Sequence, residues 1–279
     1  MKKISRRSFL AAAGLSVAAL ALTACGGSSA STASSVASSA ASSEAASTSA
    51  AAGELTTVEA GKLTMATNAA FPPYEMTTDA GEFEGIDIET AQAIADKLGL
   101  ELQIDDMDFD AALLSVQQGK ADIAMAGVTV TDERKAVMDF SDSYATGIQS
   151  IIVPEGSDIA SPDDLAGKKI GTQRGTTGYI YCSDDFGDEN VVAYDDGLTA
   201  VQALNNGQVD AVVIDNAPAQ EFIAANPGLK ILDTSYAEED YAIGMAKGSS
   251  LEDAVNAALE ELKADGTLQS IVDKYITAE

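Results

Sequence analysis

Arg134 lies at a position where the local chemistry of a helix does not call for a cation. In the segment 127–141 (GVTVTDERKAVMDFS), Thr131 is a good N-cap, and Asp132 and Glu133 suit a first helical turn because its free N–H groups and macrodipole favour negative charge. Arg134 follows at the third helical position. An exposed ion pair with a neighbouring carboxylate would contribute about 0–1 kcal/mol, which does not clearly outweigh the dipole penalty. A fork-shaped guanidinium facing a ligand carboxylate would explain the choice.

Two other stretches could complete a site for a zwitterion. The GTTG turn at 175–178 follows a predicted strand and opens a helical stretch, so its backbone N–H groups could bind an anion. It lacks the Gly-Lys-Ser/Thr of a nucleotide-binding P-loop. Asp215 ends an apolar strand, where a ligand ammonium would relieve the cost of a buried carboxylate. The alternatives are an ordinary glycine-rich turn and an Asp that caps the helix starting near Asn216.

The composition removes several kinds of catalytic and binding chemistry. The 279 residues include no histidine, so neither Ser-His-Asp nor Cys-His catalysis nor an ordinary zinc site can be assembled. A formal net charge of −28 disfavours nucleic acid as a partner. The segment 106–117 begins like a calcium loop, but Ala111 and Gln117 occupy positions that need Gly and Glu. We therefore expect an acidic turn there, with no metal and no cofactor.

Residues 1–24 have the features of a bacterial signal peptide. A basic start precedes a short Ala/Leu-rich run and small residues, and the run is too short for a good membrane span. SRRSFL at 5–10 resembles a twin-arginine motif. LTAC at 22–25 resembles a lipobox, which implies lipidation of Cys25; an ordinary signal with a chance cysteine is the alternative. Residues 25–54 are almost wholly Ser, Ala, Thr and Gly and predict a flexible linker spanning about 30 Å root-mean-square.

From Lys62 onward, short apolar strands alternate with helical patterns. Apolar residues recur on one face of 86–99, which ends at Gly99, and 121–126 has the pattern of a buried strand. Other strands are predicted at 62–67, 100–104, 169–173, 191–194 and 209–214, and other helices at 110–118, 249–264 and 267–276. The alternation predicts an α/β fold with mostly parallel sheets.

An internal similarity favours two lobes. The segments 112–127 and 200–215 share a helix, a terminating Gly, a Gly-x-x-Asp link and a buried strand, although any helix–strand unit would look similar. Open α/β sheets bind ligands at the carboxyl ends of their strands. We therefore expect four strand-end residues to line one cleft: Asn68, Gly127, Gln173 and Asp215.

Five motifs make the region from about Lys62 to Tyr275 resemble a known family. They are ATNAAFPPYE, FEGIDIETAQAIADKLG, GVTVTDERKAVMDFSDSY, KKIGTQRGTTG and GQVDAVVIDNAP, in this order. The region resembles the family 3 extracellular solute-binding proteins, the polar amino-acid receptors of bacterial ABC importers. The resemblance implies a two-lobed fold of the type II periplasmic-binding-protein class. The first lobe would comprise 55–145 plus 242–279 and the second 146–241, with hinge crossings near Tyr144–Ile148 and Ala237–Tyr241.

The same resemblance assigns the two charged ends of an amino-acid ligand. The position of Arg134 grips the α-carboxylate in this family, helped by the positions of Thr129 and Thr177. The positions of Asp215, Gly127 and Thr129 hold the α-ammonium group. The resemblance therefore agrees with the zwitterion site suggested by the residues themselves.

Four more residues match positions that contact the ligand side chain. Phe71 and Phe109 match the aromatic residues that sandwich it, and Asn68 and Gln173 match positions that read it. Many relatives carry Asp where this sequence has Asn68. The absence of that negative charge here favours a polar neutral ligand such as glutamine or cystine. A cationic ligand is not excluded, because Asp108 and Asp110 are expected near the rim of the cleft.

The resemblance implies a binding protein without catalytic activity. It would be a monomer, lipid-anchored through Cys25 on the outer face of the cell membrane, that delivers a polar amino acid to the transmembrane subunits of an ABC permease. The alternative is an enzyme like the cyclohexadienyl dehydratases, which share the fold and bind a carboxylated ligand. A structural lipoprotein without a small ligand is a third hypothesis, which the four strand ends expected at one cleft disfavour.

Overall fold

The computed structural model describes residues 55–276. The predicted signal peptide, the predicted lipidation site Cys25 and the predicted linker lie outside these residues. Within the described part, no helix is both long enough and apolar enough to cross a membrane.

Fourteen strands and eight α-helices make up the described part. The strands are β1 (Lys62–Thr67), β2 (Ala70–Phe71), β3 (Glu75–Thr77), β4 (Phe83–Glu84), β5 (Glu101–Asp106), β6 (Ile123–Ala124), β7 (Met138–Phe140), β8 (Ala145–Pro154), β9 (Ile170–Gln173), β10 (Val191–Tyr194), β11 (Ala211–Asp215), β12 (Leu229–Ile231), β13 (Ala237–Tyr241) and β14 (Gly244–Ala246). The helices are α1 (Ile86–Leu98), α2 (Phe109–Gln117), α3 (Asp132–Val137), α4 (Thr177–Phe186), α5 (Gly197–Asn205), α6 (Asn216–Ala225), α7 (Glu252–Ala264) and α8 (Thr267–Tyr275). Two short 3₁₀ helices lie at Pro162–Leu165 and Asp188–Asn190.

The strands form two main sheets, one in each lobe. The first has the order β5-β1-β6-β14-β7, and the second has the order β10-β9-β11-β8-β12, with β13 also paired to β8. A small sheet, β2-β3-β4, accompanies the first. The α/β, two-lobed architecture expected from the sequence is therefore confirmed.

The sheets are mixed, however, and the expectation of mostly parallel pairing was wrong. β1 pairs in parallel with β5 and β6, and β9 with β10 and β11. The pairs that involve β14, β8, β12 and β13 are antiparallel. β8 enters the second sheet and β14 returns to the first without an intervening helix, and antiparallel strands do not need the helical crossover that parallel strands require.

The sequence of α1 explains both which face it buries and where it ends. α1 buries Ile88, Ala91, Ile94 and Ala95 on one face, as its apolar spacing predicts. Gly99 ends it in the left-handed conformation with φ 69°, which glycine adopts without a Cβ penalty. By contrast, the predicted strand at 121–126 is regular only at Ile123–Ala124.

Two chain crossings join the lobes as an antiparallel ribbon. β8 and β13 pair from Gln149 opposite Ala237 to Ala145 opposite Tyr241. Tyr241 is fully buried and packs against Gly147, where an added Cβ would lie 2.4 Å from the tyrosine ring. The ribbon therefore holds Tyr241 close to the ends of the strands from both lobes.

Candidate functional site

All nine site residues predicted from the sequence border one pocket between the two main sheets. Three further residues border it as well. The twelve are Asn68, Phe71, Glu75, Phe109, Ala126, Gly127, Thr129, Arg134, Gln173, Thr176, Thr177 and Asp215. Residues from both lobes contribute, so the pocket exists only while the lobes lie together.

Arg134 occupies the pocket from the short helix α3. Thr131 caps that helix, its Oγ1 accepting a hydrogen bond from the Arg134 backbone N–H at 3.2 Å. The guanidinium is 5.3 Å from the centre of the Phe109 ring. Its Nη1 donates to the Thr129 carbonyl at 2.7 Å, and its Nη2 donates to the Gly175 carbonyl at 3.1 Å.

The surroundings of Arg134 make it a buried cation that links the lobes. Burial lowers the pKa of Arg134, and the charge of Glu239 opposes this effect. A guanidinium nevertheless stays charged in proteins and carries five N–H donors in a fixed fork. The two carbonyl bonds use two of these donors. Arg134 therefore ties the first lobe to the Gly175 turn of the second, with donor capacity left for an anion.

The GTTG turn presents the start of α4 to the same pocket. Thr176 caps α4, its Oγ1 accepting from the Tyr179 backbone N–H at 3.3 Å. Gly175 has φ 76°, a conformation that favours glycine, and an added Cβ would lie 3.1 Å from the Cβ of Asp110. Free N–H groups in the first turn of a ten-residue helix suit an anionic group.

Asp215 brings a buried carboxylate from the end of β11. Its Oδ2 accepts from Gln149 Nε2 at 2.8 Å. Its side chain makes no capping bond to α6, so the capping alternative was wrong. The Oδ1 atom of Asp215 and the hydroxyl of Tyr241 have no well-formed hydrogen bond among the described residues. These two groups nevertheless lie close enough to each other to interact. Burial raises the pKa of Asp215 to about 6.

Two aromatic and two amide residues predicted from the sequence border the same pocket. Phe71 ends β2 and Phe109 starts α2, and both are buried. Gln173 Nε2 donates to Asn68 Oδ1 at 2.8 Å, and Asn68 Nδ2 donates to the Met107 carbonyl at 2.9 Å. The two amides therefore pair with each other across the cleft.

Glu75 is a pocket residue that the sequence reasoning missed. It is fully buried, and neither of its oxygens has a hydrogen-bond donor among the described residues. Burial raises its pKa well above the usual range, and neighbouring Asp87 adds to this. Asp87 Oδ2 in turn accepts from the Gly127 N–H at 3.0 Å and from the Tyr144 hydroxyl at 2.8 Å. A proton shared by Glu75 and Asp87 would satisfy both acids and support the Gly127 turn.

Glu239 was also missed, although it lies directly behind the pocket on β13. Its carboxylate accepts from Thr177 Oγ1 at 2.8 Å. The segment 237–241 (AEEDY) alternates between half-buried and exposed residues, which places Glu239 on the same side as buried Tyr241. In the sequence, residues 238–240 are all acidic, so no apolar–polar alternation marked Glu239 before the fold was known.

Within the acidic turn at 106–110, Asp106 supports the fold. Asp106 Oδ1 accepts from the Ala69 backbone N–H at 2.8 Å. In the part of the chain that the structure covers, no group of three or more His, Cys, Asp or Glu residues is placed to hold a metal ion.

These features define a class of protein: a two-lobed binding protein that encloses a small ligand with groups from both lobes. The chain belongs to the bacterial extracellular solute-binding proteins, family 3, which it matches over residues 63–278. Its relatives are named as binding proteins rather than enzymes.

One relative and two solved structures illustrate the similarity. The L-cystine-binding protein TcyJ of Escherichia coli (strain K12) is 32% identical over 226 residues, covering 79% of this chain and 85% of that protein. An ancestral arginine-binding protein has been solved bound to glutamine and bound to arginine. Those two structures are 41% and 42% identical to this chain, with TM-scores of 0.75 and 0.74. They match 78% and 77% of this chain and 99% and 98% of the ancestral chains.

Proposed function

We propose that this protein is the amino-acid receptor of an ABC importer, binding a polar amino acid between its lobes and delivering it to the permease. The observation that carries this proposal is the pair Arg134 and Asp215. These two buried side chains of opposite charge come from different lobes and border the same pocket. A zwitterion would complement both charges, whereas either charge alone would remain costly to bury.

The carboxylate end of the ligand would lie at Arg134 and the GTTG turn. The guanidinium supplies a planar fork that matches a carboxylate, and the N-terminus of α4 supplies backbone N–H groups near Thr177. The ammonium end would lie at Asp215, with the carbonyl of Gly127 and the hydroxyl of Thr129 as further acceptors. This assignment follows the roles that the family resemblance implies for these positions.

The ligand side chain would lie between Phe71 and Phe109, with Asn68 and Gln173 at its polar end. Paired amides suit a polar neutral group such as an amide or a disulfide-linked zwitterion, because amides both donate and accept. Relatives named for cystine and arginine, and an ancestral protein solved with glutamine as well as arginine, fit a pocket of this general kind. We propose glutamine or cystine as the first candidates.

The rest of the assignment concerns how the protein is built and placed. We propose lobe boundaries at 55–145 plus 242–279 and at 146–241, with β8 and β13 as hinge strands. Export by the signal peptide 1–24 and lipidation of Cys25 would place a monomer on the outer face of the membrane. No catalytic step is needed for this function.

A thermal-shift screen of the purified protein against the twenty amino acids, cystine, ornithine and citrulline tests the proposal. A specific ligand at 100 times its dissociation constant adds about 2.7 kcal/mol of stability, which corresponds to a rise of about 5–10 °C in a fold of this size. A shift confined to one or a few polar amino acids would support the proposal. No rise in melting temperature with any compound of the panel, or turnover of prephenate or arogenate, would overturn the proposal.

A further inference from the structure

Glu239 holds the hydroxyl groups that border the pocket. Its Oε2 accepts from Thr177 Oγ1 at 2.8 Å and lies 3.3 Å from Thr129 Oγ1. Gln149 Nε2 lies 3.4 Å from the same oxygen, and Oε1 accepts from the Tyr181 hydroxyl at 2.5 Å. The Glu239 carboxylate thus accepts hydrogen bonds from residues of both lobes, and Glu239 itself lies on the hinge strand β13.

The direction of these bonds decides what the two threonines can offer a ligand. Each hydroxyl has one proton and two lone pairs. The Oγ1 atoms of Thr129 and Thr177 lie 3.4 Å apart, and a carboxylate accepts hydrogen bonds but cannot donate them. Bonds to an ionised acceptor are roughly twice as strong as neutral ones. The hydroxyl protons of both threonines therefore turn toward Glu239, directly or one through the other.

With their protons turned toward Glu239, the hydroxyls keep lone pairs as acceptors: one lone pair of Thr177 Oγ1 faces Gln149 Nε2 at 3.4 Å, and the remaining lone pairs can face the pocket. Lone pairs suit an ammonium group and do not suit a carboxylate. The neighbouring groups are arranged consistently: Gln149 Nε2 donates to Asp215 at 2.8 Å, which fixes that carboxylate as a second acceptor. The ligand carboxylate would then depend on Arg134 and the backbone N–H groups of the GTTG turn.

We propose that Glu239 is a positioning residue that orients the hydroxyls of Thr129 and Thr177 as acceptors for the α-ammonium group of the ligand. Through them, Glu239 selects α-amino acids over analogues that lack the amino group. This inference rests on the proposed function, and it changes the part assigned to Thr177, whose side chain would serve the ammonium rather than the carboxylate.

Glu239→Gln tests the inference because the amide can donate to Thr177 Oγ1 and reverse the direction of the bond. Glu238→Gln is the matched control, since Glu238 is the exposed neighbour on the same strand and the change in charge is identical. Calorimetric titration with the best amino acid from the panel should show about a tenfold or larger loss of affinity for Glu239→Gln, the size expected for one charge-assisted hydrogen bond. Glu238→Gln should stay within about twofold of the unaltered protein.

A double-mutant cycle with Thr177→Val separates positioning from a structural role. If Glu239 acts through the Thr177 hydroxyl, Glu239→Gln should reduce affinity much less in the Thr177→Val background than in the unaltered protein. Equal losses in the two backgrounds, or tighter binding by Glu239→Gln, would overturn the inference. Failure of the unaltered protein to bind any amino acid would instead refute the proposed function, so the two failures are distinguishable.

Discussion

Replacing Asp215 by Asn should stabilise the fold and abolish ligand binding. Asn keeps the size of the side chain and an oxygen that accepts from Gln149 Nε2, but it removes a carboxylate whose ionised form is penalised by burial. The same substitution removes the proposed partner of the ligand ammonium. Stability and binding should therefore change in opposite directions.

The size of the effect follows from the pKa of Asp215, which burial raises from 3.8 to about 6. Near pH 4 the folded carboxyl is protonated, so the substitution should change stability little. Between about pH 4 and pH 6 the unfolded chain ionises this carboxyl while the folded protein keeps it protonated, so the stability of the original protein falls across this window and levels off above it. At pH 8 the difference reaches at most about 3 kcal/mol, or about 6–12 °C in melting temperature.

Thermal unfolding without ligand at pH 4 and pH 8 measures this difference. Asp233→Asn is the matched control, because Asp233 is exposed on the same lobe and its loss changes the net charge equally. Asp215→Asn should gain stability at pH 8 and much less at pH 4, while the control should change little at either pH. An Asp215→Asn variant less stable than the original at pH 8, or with the same gain at both pH values, would refute the assignment of Asp215 as a strained, functional carboxylate.

Two further substitutions test how the fold supports the site. Gly147→Ala should lower both the melting temperature and ligand affinity, because the new Cβ would lie 2.4 Å from the ring of Tyr241 and 2.7 Å from Asp215 Oδ1; Gly156→Ala, with nothing within 4 Å, should be nearly neutral in the same assays. Thr131→Ala removes the cap of α3 and should cost about 1 kcal/mol, seen as a melting temperature lower by roughly 2–4 °C; an unchanged value would show that the cap contributes little.

Much of the site was predictable because strand ends are predictable. Apolar runs located the strands before Asn68 and Gln173 and the strand that ends at Asp215, and the carboxyl ends of such strands meet at one edge of a sheet. The strand before Gly127 was predicted in the correct place, but the predicted range 121–126 was too long. Its regular part ends at Ala124, since the following residues leave the sheet to form the pocket wall.

Glu75 and Glu239 could not be assigned to the site from sequence reasoning, because their burial depends on contacts between distant segments. Glu75 starts a three-residue strand, too short for a period to show which face is buried. Glu239 lies on a strand whose partner, β8, is almost a hundred positions away. The mixed pairing of both sheets has the same origin, since the antiparallel members depend on where the chain crosses between lobes.

Calorimetric titration of Arg134→Ala tests whether Arg134 binds the carboxylate of an amino acid, the assignment on which the proposed receptor function depends. Arg174→Ala is the control, since Arg174 is an exposed arginine paired with Asp195 at the surface. We expect Arg134→Ala to lose detectable binding while its circular dichroism spectrum stays that of the folded protein, and Arg174→Ala to bind normally. A loss of less than about tenfold, or ~1.4 kcal/mol, in Arg134→Ala would contradict this role of Arg134.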